Sequence, residues 1–104
     1  MLIEQRTYQL KPGTLNEFLR VYQAEGLKIQ SEALGNLIAY LKPETGDVNR
    51  VIHIWGFSSY EDRAQRRAAL SGNPKWHEFL GKAGHMVTAQ QVELLTGAPF
   101  SPIQ

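Results

Sequence analysis

The stretch Val51-Ile52-His53-Ile54-Trp55-Gly56-Phe57 decides the fold, because it reads as a strand that is apolar on both sides. Side chains alternate along a strand, so Ile52 and Ile54 share one face, and the other face carries Val51, His53, Trp55 and Phe57. We expect helices of the same chain to cover the aliphatic face. The His53 face then needs a second copy of the chain or a ligand. Function is therefore predicted on the face that carries His53.

Length and charge limit the class of protein. The 104 residues form one predicted domain, spanning 1–104 with residues 99–104 as a C-terminal tail. The formal charge is +1, from 11 basic and 10 acidic residues. So small a charge gives no field that would steer the chain to nucleic acid or to a membrane surface. Neither is expected as a partner.

Cysteine and histidine usage narrows the chemistry. The chain has no cysteine, which excludes disulfides, thiol catalysis and cysteine-bound zinc. Its three histidines, His53, His77 and His85, are not at metal-ligand spacing, so we predict no metal and no cofactor. The N-terminus enters a strand pattern at once, without a signal sequence or an apolar span. We expect a soluble, cytoplasmic protein.

The first half of the chain reads as strand, helix and hairpin. Leu2 to Leu10 alternates as a strand, and Thr14 with Glu17 forms a capping box for a helix that runs to about Gln30 and loosens near Gly26. A second strand is predicted from Gly35 to Leu41. The turn residues 43–47 join it to the Val51–Phe57 strand as an antiparallel hairpin.

The second half reads as two helices, a strand and a tail. Ser58 with Glu61 predicts a capping box and a helix that runs through Tyr60, Ala64, Ala68 and Leu70 and that Gly72 ends. Asn73-Pro74 begins a shorter helix that ends at Gly84. Met86 to Leu95 is the last strand, and the tail after it is expected to dock through Phe100.

This order of elements predicts an α+β fold, the ferredoxin-like split βαβ protomer with an antiparallel four-stranded sheet and helices on one face. The helix-free face would be too aromatic for water and too polar for a dry core. We assign to it Glu4, Arg6, Tyr8, Ile38, Tyr40, His53, Trp55 and Phe57. Two such sheets packed face to face would form a homodimer, a dimeric α/β barrel that encloses a mixed pocket.

Several separated motifs span nearly the whole chain: Arg6-Thr7-Tyr8 before Lys11-Pro12-Gly13, the Asn49–Trp55 strand with its His-x-Trp, Arg63 and Arg67, Asn73-Pro74-x-Trp76, and Pro99-Phe100-Ser101-Pro102. Together they resemble one known family, NIPSNAP, a branch of the dimeric α/β-barrel proteins. The resemblance implies a ferredoxin-like protomer that pairs as a homodimeric barrel. It implies no catalytic residue set, although members are connected with vesicle transport and mitochondrial signalling. Related barrels include cofactor-independent monooxygenases, an analogy of fold alone.

Candidate chemistry centres on His53 and Glu4. His53 lies mid-strand, where a general base, a ligand hydrogen bond and a satisfied interface histidine all remain open. Glu4 is a candidate acid, and its alternative is an ion pair with Arg6 or with a second subunit. Arg63, Arg66 and Arg67 read as a solvated helix face, with Arg63 tying the helix start to a neighbouring loop.

Two classes of function follow from these residues. The first is binding of a small molecule, for which an aromatic ring is suited, in a pocket lined by Tyr8, Tyr40, His53, Trp55 and Phe57 and oriented by Glu4 and Arg6. Its catalytic variant is cofactor-independent oxygenation, as in monooxygenases, or proton transfer. The second class is a non-catalytic dimeric scaffold that binds proteins through its helices or its Pro99–Pro102 tail.

Overall fold

The computed structural model describes all 104 residues, Met1–Gln104. The strands are β1 (Leu2–Leu10), β2 (Leu37–Leu41), β3 (Arg50–Phe57) and β4 (Val87–Thr96). The helices are α1 (Leu15–Val21), α2 (Leu27–Leu34), α3 (Tyr60–Ser71) and α4 (Pro74–Ala83). A π-helical segment, Tyr22–Gly26, joins α1 to α2, and a 3₁₀ turn, Gly84–Met86, precedes β4.

The four strands form one antiparallel sheet in the order β2-β3-β1-β4. This is the ferredoxin-like arrangement predicted from the sequence, and the β2–β3 hairpin is confirmed with Tyr40 opposite His53. In the centre of the sheet, Glu4 pairs with Trp55 and Arg6 pairs with His53. Directly paired residues point to the same side of a sheet, so these four side chains share one face.

The first helical stretch is continuous from Leu15 to Leu34 but changes its hydrogen bonding in the middle. There the N–H of Leu27 donates to the carbonyl of Tyr22, which is the i to i−5 pattern of a π-helix. Gly26 permits a close contact at this point, since a Cβ on it would lie 3.0 Å from the ring of Phe79 on α4. The predicted loosening near Gly26 is confirmed, and the stretch ends later than predicted, at Gly35 with φ of 90°.

Helix caps follow the sequence signals in part. Asn73 caps α4 as predicted, accepting from the N–H of Lys75 at 2.9 Å. The cap of α3 is Ser59 rather than Ser58, and its hydroxyl accepts from the N–H of Asp62. The Thr14–Glu17 capping box is wrong: the Thr14 hydroxyl donates to the Lys11 carbonyl. These differences move helix boundaries by a residue without altering the topology.

The helices cover the face of the sheet that carries His53, so the predicted assignment of the two faces is wrong. Val51 packs with Phe18 of α1 and Phe79 of α4. Trp55 and Phe57 pack with helix residues too, in a second cluster completed by Leu2, Leu34 and Leu70. Alternation shows which residues share a face but not which face the helices cover. The polar groups tolerate this burial because an arginine from a helix pairs with Glu4.

The helix-free face carries the residues that the sequence assigned to the core. Ile52 and Ile54 lie here beside Thr7 and Gln5 of β1, to which they pair. Leu41 of β2 is 48% exposed on the same face. Ile38 was predicted on the helix-free face and does lie there, against Gly56, but it is on the other side of the sheet from His53 because a bulge between Leu37 and Ala39 breaks the alternation of β2. The pairing of two such faces stays a prediction.

Two further expectations concern the C-terminal tail and the length of the helices. Phe100 is 91% exposed, so the predicted docking of the tail through this residue is wrong. No helix is both long and apolar enough to cross a membrane.

Candidate functional site

A buried charged group lies between β1 and α3. Glu4 is fully buried, and its Oε1 accepts from Nη1 of Arg6 at 3.3 Å, which confirms the predicted ion pair. Its Oε2 accepts from Nε of Arg63, so Arg63 ties α3 to β1 and not to a loop. Both carboxylate oxygens are therefore occupied by guanidinium groups. This arrangement leaves Glu4 as a structural counter-ion and does not favour an acid catalyst.

Arg67 adds a further positive charge to this group. It lies one turn after Arg63, on the same side of α3. Unlike Arg63, it takes part in none of the ion pairs of the molecule. Burial lowers the pKa of Arg67, and the charge of nearby Arg6 lowers it further. Three guanidinium groups thus face the single carboxylate of Glu4.

The His53 ring is held in one tautomer by Trp55. The indole Nε1–H donates to Nδ1 of His53 at 2.7 Å, so the proton of the neutral imidazole lies on Nε2. Burial, followed by the charges of Arg6 and Arg67, lowers the pKa of His53 to about 3. The ring is neutral at physiological pH. Its Nε2 is buried and has no hydrogen-bond partner.

Tyrosines surround the His53 ring. Tyr40 stacks on it with centroids 4.8 Å apart, and Tyr8 meets it edge-on at 4.8 Å. Tyr22, from the π-helical segment, stacks in turn on Tyr40 at 4.6 Å, and its hydroxyl donates to Oε1 of Gln30 at 2.6 Å. The Tyr40 hydroxyl is buried without a partner. Burial raises the pKa of both Tyr22 and Tyr40, so both hydroxyls are protonated donors.

A small cavity of about 40 Å³ lies against this aromatic wall. The residues that enclose it come from both layers and include Tyr8, Tyr22, Gln30, Tyr40, Trp76 and Phe79. A cavity of this size holds water molecules or a small polar group, whereas sites for drug-sized ligands measure roughly 300–1,000 Å³. A larger ligand has to extend beyond this cavity.

The structure brings most of the predicted site residues together. Glu4, Arg6, Tyr8, Tyr40 and His53 are contiguous, but they lie beneath the helices and not on the helix-free face. Trp55 acts on the site through its hydrogen bond to His53. Phe57 is separate from it, since it is buried among the residues of the second cluster.

Sequence reasoning missed Arg63, Arg67, Tyr22 and Gln30. A signal for the arginines exists, because Arg63, Arg67 and Leu70 have the spacing of one helix face. That face points toward the sheet, because Leu70 is buried whereas Tyr60 is exposed. Tyr22 and Gln30 are brought together across the π-helical segment; the sequence predicted a loosening near Gly26 but not this contact.

The sequence of the chain matches the family described as NIPSNAP over residues 3–102. The chain belongs to the NIPSNAP family. It is 34% identical over 102 residues to the NipSnap homolog 3B of Mus musculus, covering 96% of this chain and 40% of that protein. This NIPSNAP chain thus spans less than half the length of that curated relative.

Solved structures of bacterial NIPSNAP proteins share the fold. A NIPSNAP family protein of unknown function from Agrobacterium tumefaciens is 41% identical, with a TM-score of 0.97, and the match covers 100% of this chain and 94% of that one. An antibiotic biosynthesis monooxygenase is 16% identical with a TM-score of 0.66, over 95% of this chain and 100% of that one. The second likeness shows the ferredoxin-like fold alone.

Proposed function

We propose that this NIPSNAP protein binds a small organic molecule between the sheet and the helices of each protomer, with Nε2–H of His53 and the Tyr40 hydroxyl donating hydrogen bonds to it. The observation that carries the proposal is that both groups are buried without a partner. Leaving a buried polar group unsatisfied costs about 1–3 kcal/mol, and native proteins rarely do so. A bound acceptor would offset that cost for both donors.

The surroundings of these donors fit a ligand site. Small-molecule pockets combine an aromatic or apolar wall with a few placed polar groups. Here the wall consists of Tyr8, Tyr22 and Tyr40, and the polar groups are His53 and the arginines beside Glu4. Tyr8, Tyr40, His53, Glu4 and Arg6 were predicted from the sequence for this site, whereas Tyr22 and Arg63 were not. Their location under the helices replaces the predicted pocket between two sheets.

The geometry favours binding over proton transfer. A general base needs a free lone pair and a pKa near the working pH. Nδ1 of His53 is engaged by Trp55, and its pKa of about 3 makes the ring a weak base. Both oxygens of Glu4 are engaged by arginines. His53 is therefore suited to donate a hydrogen bond to a ligand rather than to abstract a proton from it.

A metabolite screen by thermal shift, followed by calorimetric titration of each hit, tests this function. Tyr40→Phe removes only the unpaired hydroxyl and should weaken binding of a hit while leaving the fold intact. Tyr60→Phe is the matched control, because Tyr60 lies at the exposed start of α3. Equal affinities of the two variants would contradict the proposal. Silence across the library would favour the scaffold hypothesis.

We also propose that a second copy of the chain covers the helix-free face. Ile52 and Ile54 lie half-buried in its centre, and Leu41 and Leu95 add exposed apolar side chains. An apolar patch of this kind on a monomer marks an interaction site. The same face carries Gln5, Thr7 and Gln9, whose polar groups suit a mixed interface between two protomers.

A further inference from the structure

We infer that the ligand is a small organic carboxylate, whose anionic group lies against Arg67 beside Arg6 and whose apolar part lies over Val92 and Leu94 of β4. The inference rests on the function proposed above and names its ligand class. It draws on two features that the unpaired donors His53 and Tyr40 do not involve. These are the charge balance beneath α3 and the uncovered helix side of β4.

The positive charges beneath α3 outnumber the negative ones, so an anion bound there would be stabilised. Arg6 and Arg63 share the carboxylate of Glu4, whereas Arg67 has no carboxylate within ion-pair distance. Arg67 is half-buried on the same side of α3 as Arg63. Burial, followed by the charge of Arg6, lowers the pKa of Arg67, and the opposing charge of Glu4, which Arg6 and Arg63 already pair, does not offset them. Arg67 therefore has no counter-ion of its own. An anionic group from outside the chain would supply that counter-ion.

A single carboxylate suits the unpaired guanidinium of Arg67 better than a larger anion does. Among the three arginines, only Arg67 keeps all of its donors free of carboxylate partners. One guanidinium presents a planar fork of N–H groups that matches the two oxygens of one carboxylate. Arg6 stands next to it and reinforces the attraction.

The helix side of β4 offers an apolar surface next to these arginines. Val92 pairs with Arg6 and Leu94 pairs with Glu4, so both side chains share the face of the charged group. They nevertheless remain 40% and 38% exposed, because the helices do not extend over this edge strand. An amphipathic molecule could place its hydrocarbon part here and its charged end against Arg67.

The arginines that would bind the carboxylate lie next to the two unpaired donors, His53 and Tyr40. Nε of Arg6 donates to the Tyr8 hydroxyl at 3.2 Å, and the Tyr8 ring contacts His53 edge-on. A carboxylate has enough lone pairs to accept from a guanidinium and from an imidazole N–H at once. One ligand can therefore satisfy both sets of donors.

The test is calorimetric titration with acetate, hexanoate and phenylacetate, each compared with its neutral primary amide. We expect the carboxylates to bind and the amides to bind far more weakly. Affinity should rise from acetate to hexanoate, because the longer hydrocarbon chain of hexanoate covers Val92 and Leu94. Arg67→Gln should weaken hexanoate binding by about tenfold to a hundredfold, the change expected on losing a charged hydrogen bond.

Arg66→Gln is the matched control, since Arg66 is the next residue but pairs with Asp62 at 2.9 Å. Its hexanoate affinity should equal that of the parent. Equal losses in Arg66→Gln and Arg67→Gln, or tighter binding of phenyl phosphate than of phenylacetate, would overturn the carboxylate assignment. If the amides bind as tightly as the acids and Tyr40→Phe weakens their binding, the carboxylate assignment is overturned but the proposed function stands. Silence of both series overturns this inference, and the metabolite screen then decides the function separately.

Discussion

Trp55 fixes the tautomer of His53. The indole Nε1–H donates to Nδ1 at 2.7 Å, and an indole N–H cannot accept, so the imidazole proton points away on Nε2. The two residues are neighbours on one face of β3 because alternate residues of a strand share a face. The His-x-Trp motif is therefore a unit in which Trp55 positions His53 and His53 presents a donor to the site.

Trp55→Phe should release this constraint while keeping an aromatic ring in the core. The His53 ring would then distribute its proton over both nitrogens, and the fold should lose about 1–3 kcal/mol of unfolding free energy because Nδ1 is left unpaired. Nitrogen NMR of the imidazole reports the tautomer directly. The control is Trp76→Phe, on α4, which should leave the imidazole signals unchanged. A single Nε2–H tautomer in Trp55→Phe would show that another contact sets it.

Stability should fall on acidification because of His53. Its pKa is about 3 in the folded protein and 6.5 as an ordinary histidine, so below pH 6.5 the unfolded chain binds a proton that the folded chain does not. The contribution is fully present above pH 6.5 and is lost as the pH falls toward 3, by about 1.4 kcal/mol per pH unit. Burial is the main cause, and Arg6 and Arg67 add to it.

Urea unfolding of the parent and of His53→Gln across this range measures the effect. The variant should show a shallower dependence on pH, since Gln does not titrate. His77→Gln, at an exposed position on α4, serves as the control and should retain the parental slope. Identical slopes in the parent and His53→Gln would mean that the buried ring becomes protonated with little cost.

Tyr40 and Tyr22 offer a matched pair of hydroxyl deletions. Tyr40→Phe removes a buried hydroxyl without a partner and should leave stability unchanged or raise it by about 1 kcal/mol. Tyr22→Phe removes the donor to Gln30 and should lower stability by about 1–3 kcal/mol, because the amide oxygen is left unsatisfied. Chemical unfolding of both variants without ligand decides between them. A loss in Tyr40→Phe as large as that in Tyr22→Phe would indicate an unrecognised structural partner of the Tyr40 hydroxyl.

Substitutions of the two inward-facing arginines of α3 should also have different effects on stability, as expected for the two tyrosines. Arg63→Gln removes one of the two partners of the buried Glu4 and should cost about 3–5 kcal/mol, the range for breaking a buried ion pair. Arg67→Gln removes a half-buried charge that lies beside Arg6 and has no carboxylate partner, so the melting temperature should hold or rise. Differential scanning calorimetry of both variants without ligand provides the comparison. A severe loss in Arg67→Gln would show that Arg67 stabilises the fold itself.

Local signals in the sequence predicted the architecture well. The alternation of β1 and β3, the turn at residues 43–47 and the Asn73-Pro74 helix start all correspond to elements of the structure. These signals are carried by neighbouring residues, whose conformation depends on backbone sterics and capping. They were sufficient for the ferredoxin-like topology and for grouping Glu4, Arg6, Tyr8 and His53 on one face.

The choice of the covered face could not be made from alternation. Ile52 and Ile54 look more suited to a core than His53 does, and hydrophobicity alone therefore favoured the wrong face. The face carrying Glu4 becomes buried because Arg63, from a distant helix, completes its ion pair. Contacts between residues far apart in sequence decide this point, as they also decide the contact of Tyr22 with Tyr40.

The helix-free face leads to a prediction about assembly. We expect a homodimer in solution, because Ile52, Ile54 and Leu41 form an apolar surface that the helices of the same chain do not reach. Leu41→Glu would place an unpaired carboxylate in that interface. Such a charge costs about 3–5 kcal/mol, so the dissociation constant should rise by a hundredfold or more, by roughly tenfold for each 1.4 kcal/mol.

Light scattering on a size-exclusion column measures the mass of each variant. Leu41→Glu should elute as a folded monomer, since Leu41 is 48% exposed in the protomer and the substitution leaves its core intact. Leu80→Glu is the matched control: Leu80 is 41% exposed but lies on α4, on the opposite side of the sheet. It should remain dimeric. A parent protein that is monomeric at micromolar concentration would contradict the predicted homodimer. A Leu41→Glu variant that stays dimeric would place the dimer interface on another surface.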